Sequence, residues 1–102
     1  MTLQIGMQLP RLVLRWAADA EQAFSIGWKD SDGAALDLTG TTVRLVIDGT
    51  TTLTATNSAG GFSNWTVAAV DSLSAYIGKP VRLEFVISGS TYLMAQGDVV
   101  AA

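Results

Sequence analysis

The sequence predicts an all-β chain in which about seven to eight short antiparallel strands pack as a sandwich of two sheets. Three observations carry that reading. Phe24, Ile26 and Trp28 alternate with Ser25, Gly27 and Lys29, and Val43, Leu45 and Ile47 alternate with Thr42, Arg44 and Val46, the period-two pattern of half-buried strands. Turn chemistry recurs at short intervals, at Asp32-Gly33, Asp48-Gly49, Gly60-Gly61 and Ser88-Gly89-Ser90. Helical spacing is confined to one short stretch near residues 72–77.

Taken in order, Leu3, Ile5, Met7 and Leu9 share one parity and describe an extended arm or edge strand over residues 1–10, which stops where Pro10 lacks a backbone donor. Leu12, Leu14 and Trp16 form a second alternating set, opposite Arg11, Val13 and Arg15. Residues 17–22 are too short to hold a helix without packing partners and read as a connection into the Phe24 strand. A polar connection leads from Trp28 to the Val43 strand. Asp48-Gly49 then marks a hairpin, and the Thr-rich stretch 50–56 favours a β conformation. Residues 57–61 read as a loop and residues 62–70 as a strand with Trp65 and Val67 on one face. Asp71 as an N-cap, Leu73, Tyr76 and Ile77 at helical spacing, and Gly78 with Pro80 as a stop predict one short helical turn. Residues 81–87 and 91–100 close the chain as a hairpin around Ser88-Gly89-Ser90. No internal repeat is visible, so residues 11–102 read as a single domain behind the arm, within the usual domain size of ~100 to 150 residues.

Composition narrows the chemistry. Cysteine is absent, which removes disulfides and thiolate metal sites, and histidine is absent, which removes the usual general base, zinc ligand and pH switch. The net charge is −3, and the six Lys and Arg are scattered along the chain with no basic run, so the expectation is no nucleic-acid partner. Charged residues make up 15% of the chain and apolar residues 49%, with a mean hydropathy of +0.36. The apolar runs fall far short of the ~20 residues a membrane-spanning helix needs, and residues 1–9 lack the basic start of a signal peptide. No membrane partner is expected. The surplus of apolar residues is instead what subunit contacts would cover, and it predicts a homo-oligomer.

No catalytic constellation emerges. Asp30, Asp32 and Gly33, with Asp37 beyond, begin like a calcium loop, but Ala34, Ala35 and Leu36 occupy the positions where further oxygen ligands belong. A turn in which aspartates accept from nearby amides is the simpler reading. Trp16, Trp28 and Trp65 could stack on a sugar, yet each shares the parity of its strand's apolar residues and reads as core or interface. Glu84 lies on the outward parity of its strand beside Arg82 and reads as a solvated or inter-subunit charge pair.

The run Trp28-Lys29-Asp30-Ser31-Asp32-Gly33, followed by Leu36-Asp37-Leu38-Thr39-Gly40, resembles the W-x-D-x-D-G…DLTG run of small immunoglobulin-like sandwich domains in tailed-phage virion proteins. Arg11-Leu12-Val13-Leu14-Arg15 is similar to that family's first strand, and Gly97-Asp98-Val99-Val100 to its closing G-x-V pattern, so the resemblance covers roughly residues 11–100. It implies an immunoglobulin-like sandwich and a non-enzymatic structural protein of the virion, assembled in the host cytoplasm. A tail, baseplate or connector-region subunit leads, acting by self-association and by docking on other phage virion proteins, with no cofactor. A capsid-decoration protein is the near alternative, and a host-surface or glycan-binding module the alternative from another class. A sandwich has edge strands with unpaired backbone groups to which an apolar strand can add. Leu3, Ile5, Met7 and Leu9 are therefore the candidate subunit interface, with Trp16 beside them.

Overall fold

The computed structural model describes residues 10–102, and these form two facing sheets, with one long connection over residues 28–40. The strands are β1 (Arg11–Trp16), β2 (Gln22–Gly27), β3 (Thr41–Ile47), β4 (Thr51–Thr54), β5 (Thr56–Ser58), β6 (Phe62–Val67), β7 (Pro80–Ile87) and β8 (Ser90–Ala101). One sheet has the order β1-β8-β7-β3-β4 and the other β2-β6-β5. The second matches the B-E-D sheet of an immunoglobulin-like sandwich, and β4-β3-β7-β8 matches its C′-C-F-G sheet. The strands that carry the two alternating runs, β2 and β3, thus lie in opposite sheets.

The larger sheet supplies most of the core. Across its central pair, Val43 stands opposite Phe85, Leu45 opposite Leu83 and Ile47 opposite Val81, so β-branched and large residues fill every inward position. Leu14, Trp16, Ala95 and Val99 add to this layer from β1 and β8, while Trp65 and Val67 of β6 meet it from the facing sheet. Trp28 closes one end of the core, its ring edge-on to Phe85 with centroids 4.6 Å apart.

Both predicted hairpins form, and each turn has two residues with positive φ. Asp48 (55°) and Gly49 (70°) join β3 to β4, and Ser88 (50°) and Gly89 (81°) join β7 to β8. That backbone twist matches the twist of the paired strands, which is why a glycine sits in the second place of each turn.

Several boundaries differ from the sequence reading. Not every ladder is antiparallel: β1 pairs with β8 in parallel, from Arg11 opposite Gln96 to Trp16 opposite Ala101. Hairpin signals join neighbours in the chain and carry no information about a pairing between the first and last strands. The Thr-rich stretch is two strands, because the chain crosses from one sheet to the other at Ala55, whose N–H is held by the Val43 carbonyl at 2.8 Å. Asn57 and Ser58, read as the start of a loop, belong with Thr56 to a strand. The single helical turn is two 3-10 turns, Ala69–Asp71 and Ser74–Tyr76, with no side-chain cap on either. Asp71 lies inside the first of these and caps nothing; Ser72 is the buried residue there, donating to the Ala68 carbonyl at 3.0 Å and accepting from Gln22 at 3.0 Å.

A polar relay stitches the sheets together at the end where Trp28 lies. Trp28 Nε1 donates to Ser63 Oγ (3.1 Å), Ser63 donates to Asn57 Oδ1 (2.8 Å), and Asn57 Nδ2 donates to the Thr41 carbonyl (2.7 Å). Ser63 is fully buried, so both bonds to its hydroxyl run in a water-free site. Ser63→Ala is expected to destabilise the chain by about 1–3 kcal/mol, because the Trp28 indole N–H and the Asn57 side-chain oxygen lose their partner at once. Denaturant unfolding measures this.

Candidate functional site

The strongest candidates for function are surfaces. Leu3, Ile5, Met7 and Leu9 lie outside the described residues. Trp16 does not lie on a surface. It is 1% exposed, stands edge-on to Tyr76, and donates its indole N–H to the Leu73 carbonyl at 3.0 Å. Its place is the core of its own chain, because Leu12, Leu14 and Trp16 all take the inward parity of β1. Trp65 is buried as well and donates to the Leu53 carbonyl at 2.8 Å, so neither ring offers a face to a sugar. Among the described residues, no group of three acidic side chains stands close enough to hold a metal ion.

The Asp-rich connection folds as turn chemistry. Asp30 Oδ1 accepts from the amides of Asp32 (2.9 Å) and Ala34 (3.0 Å), and Gly33 takes a φ of +83°. Asp37 Oδ1 accepts from the Thr39 amide at 3.0 Å. Hydrogen bonding from the Thr39 side chain, and then from its backbone, holds the Asp37 carboxyl below its ordinary value of 3.8. A lowered carboxylate contributes its stability above the unfolded value and loses it as pH falls through the folded one. The stability difference between wild type and Asp37→Asn is therefore expected to hold steady down to about pH 4 and to shift against the wild type below it. Thermal midpoints at neutral and acid pH measure it.

Charge is less evenly spread than the linear sequence suggests. Arg11 and Arg15 of β1, Arg44 of β3 and Arg82 of β7 all take the outward parity of the larger sheet, so four of the six basic residues share one face. Glu84 sits among them, 7% exposed, with Arg44 Nε at 2.8 Å and Arg82 Nε at 3.2 Å. It is neither solvated nor left for a second subunit: its strand parity is outward, but the two guanidinium groups cover it. Arg11 pairs with Asp98 at 2.6 Å on the same face. Strand parity names the face of each arginine, whereas the convergence depends on which strands are neighbours, and that is invisible in a linear reading.

No protein-family model, curated protein or solved structure matches the chain. The phage likeness rests on its motif residues.

Among the described residues, and apart from exposed Tyr92 and Leu93 of β8, apolar exposure marks three places. Val70, Leu73 and Ile77 are exposed around the 3-10 turns that lead from β6 to β7. At the opposite end of the sandwich, Phe62 at the start of β6 and Ile87 at the end of β7 are exposed. The third place is the side of the sandwich where β1 and β2 are the outermost strands of their sheets. Between them runs a cleft of about 410 Å³ lined by Leu12, Val13, Phe24, Ile26 and Leu45, with Arg15 also in its wall.

Proposed function

We propose that this chain is a non-enzymatic structural subunit of a tailed-phage virion, in the tail, baseplate or connector region, that works by self-association and by docking on other virion proteins. The observation that carries the reading is the motif pair, Trp28 to Gly33 and Leu36 to Gly40, sited in the connection between β2 and β3 of an immunoglobulin-like sandwich. The exposed apolar residues at both ends and along the β1–β2 side supply contact area of the kind that subunit interfaces cover. The capsid-decoration reading uses the same surfaces and differs in location alone. Burial of Trp16 and Trp65 favours a structural role over a glycan-binding one, since a sugar platform needs an open ring face.

Mass spectrometry of tailed particles purified from a lysate that expresses this gene tests the proposal. Peptides of this chain are expected at a fixed ratio to the major tail or capsid protein. Their absence from intact particles, with the chain recovered free in the lysate, contradicts it.

A further inference from the structure

We infer that the outer edge of β2 accepts residues 3–9 of a second copy of this chain as an added strand, which covers the cleft between β1 and β2. This rests on the self-association reading above and names the surface that carries it.

Among the described residues, β2 pairs only with β6, so its other edge presents a row of unpaired backbone donors and acceptors. Natural edges are commonly blunted by charge, proline or shortness. The other edges here follow that rule: β1 carries Arg11 and Arg15, β4 has four residues and β5 three. β2 has six residues, Gln22–Gly27, with no charge and no proline. Its inward side chains, Phe24 and Ile26, are half-buried and form a wall of the apolar cleft.

Residues 3–9 match this edge. They have no charge, their apolar residues all fall on one side of an extended chain, and seven residues span about 23 Å against about 20 Å for β2. The same chain cannot supply all of residues 3–9 to its own β2 along the cleft. The connection 17–21 sets the start of β2 beside the end of β1, so Arg11 lies toward the Gly27 end of β2. Lying alongside Phe24 and Ile26 would require the chain to reverse at Pro10 alone, whereas a reversal takes at least about two residues. A second copy meets no such constraint. Backbone pairing would supply the affinity, and the apolar side chains entering the cleft the register.

The chain has no cysteine, so introduced thiols are unique. Ser25→Cys, on the outward side of β2, is mixed with full-length Gln4→Cys or Gln8→Cys and oxidised, with Thr54→Cys on β4 as the control acceptor. The expected result is a disulfide-linked pair of one Ser25→Cys chain and one arm-variant chain, at least several-fold above the control. A signal no greater than the control, in a sample that light scattering shows to be multimeric, overturns this inference and leaves self-association through another surface. A monomer at every concentration overturns both. In the double variant Ser25→Cys/Gln8→Cys, a disulfide closed within one chain overturns the assignment to a second copy.

Discussion

Gly97→Ala is expected to cost at least about 3 kcal/mol and to lower the thermal midpoint by roughly 10–20 °C. Gly97 lies opposite Leu12 in the parallel β1–β8 ladder, and a Cβ placed on it would fall on the Leu12 carbonyl. Backbone cannot rotate aside as a side chain can, so the strand itself must move. Displacing β1 lifts Leu14 and Trp16 out of the core and exposes the cleft from the other side. A residue in the closing G-x-V pattern is thus a glycine for a packing reason. Differential scanning calorimetry of the variant measures the effect, and a midpoint within a few degrees of wild type would show that β1 does not lie as close to β8 as described.

Trp16→Ala is expected to cost about 3–5 kcal/mol, a large share of the roughly 5–15 kcal/mol that holds a domain of this kind together. The indole fills the space between β1 and the 3-10 turns, against Tyr76 at 5.7 Å between centroids. Trp16→Phe keeps most of the apolar contact and gives up the hydrogen bond to the Leu73 carbonyl, so its cost is expected near 1 kcal/mol. Urea unfolding of the two variants separates packing from hydrogen bonding. A subunit-interface role for Trp16 predicts the opposite pattern, with little change in monomer stability and a loss of assembly.

What was legible in the sequence was what local chemistry dictates. Asp48-Gly49 and Ser88-Gly89 announce their turns because positive φ at two successive residues suits few side chains. The inward parity of Val43, Leu45 and Ile47 follows from alternation alone, and Asp30 and Asp37 accept from amides within four residues of themselves. What was hidden depends on partners far along the chain. Glu84 is buried by Arg44, forty residues away on a neighbouring strand as well as by nearby Arg82. Ser63 and Asn57 look like ordinary strand and loop polar residues until Trp28, from the connection after β2, completes their relay. The parallel pairing of β1 with β8 leaves no trace except Gly97. Of the candidate site, the one-sided apolar pattern of residues 3–9 was legible, whereas the edge that suits it became visible only once β2 was placed at the margin of its sheet.

The claim on which the functional account turns is that this sandwich associates with itself through its apolar surface. The most direct measurement is the solution mass of the purified full-length chain, by size-exclusion chromatography with light scattering over a concentration series. A multimer of fixed mass across the series is the predicted result, and removal of residues 1–9 is expected to reduce it. A mass of 10.7 kDa at every concentration, that of one chain, would contradict the account.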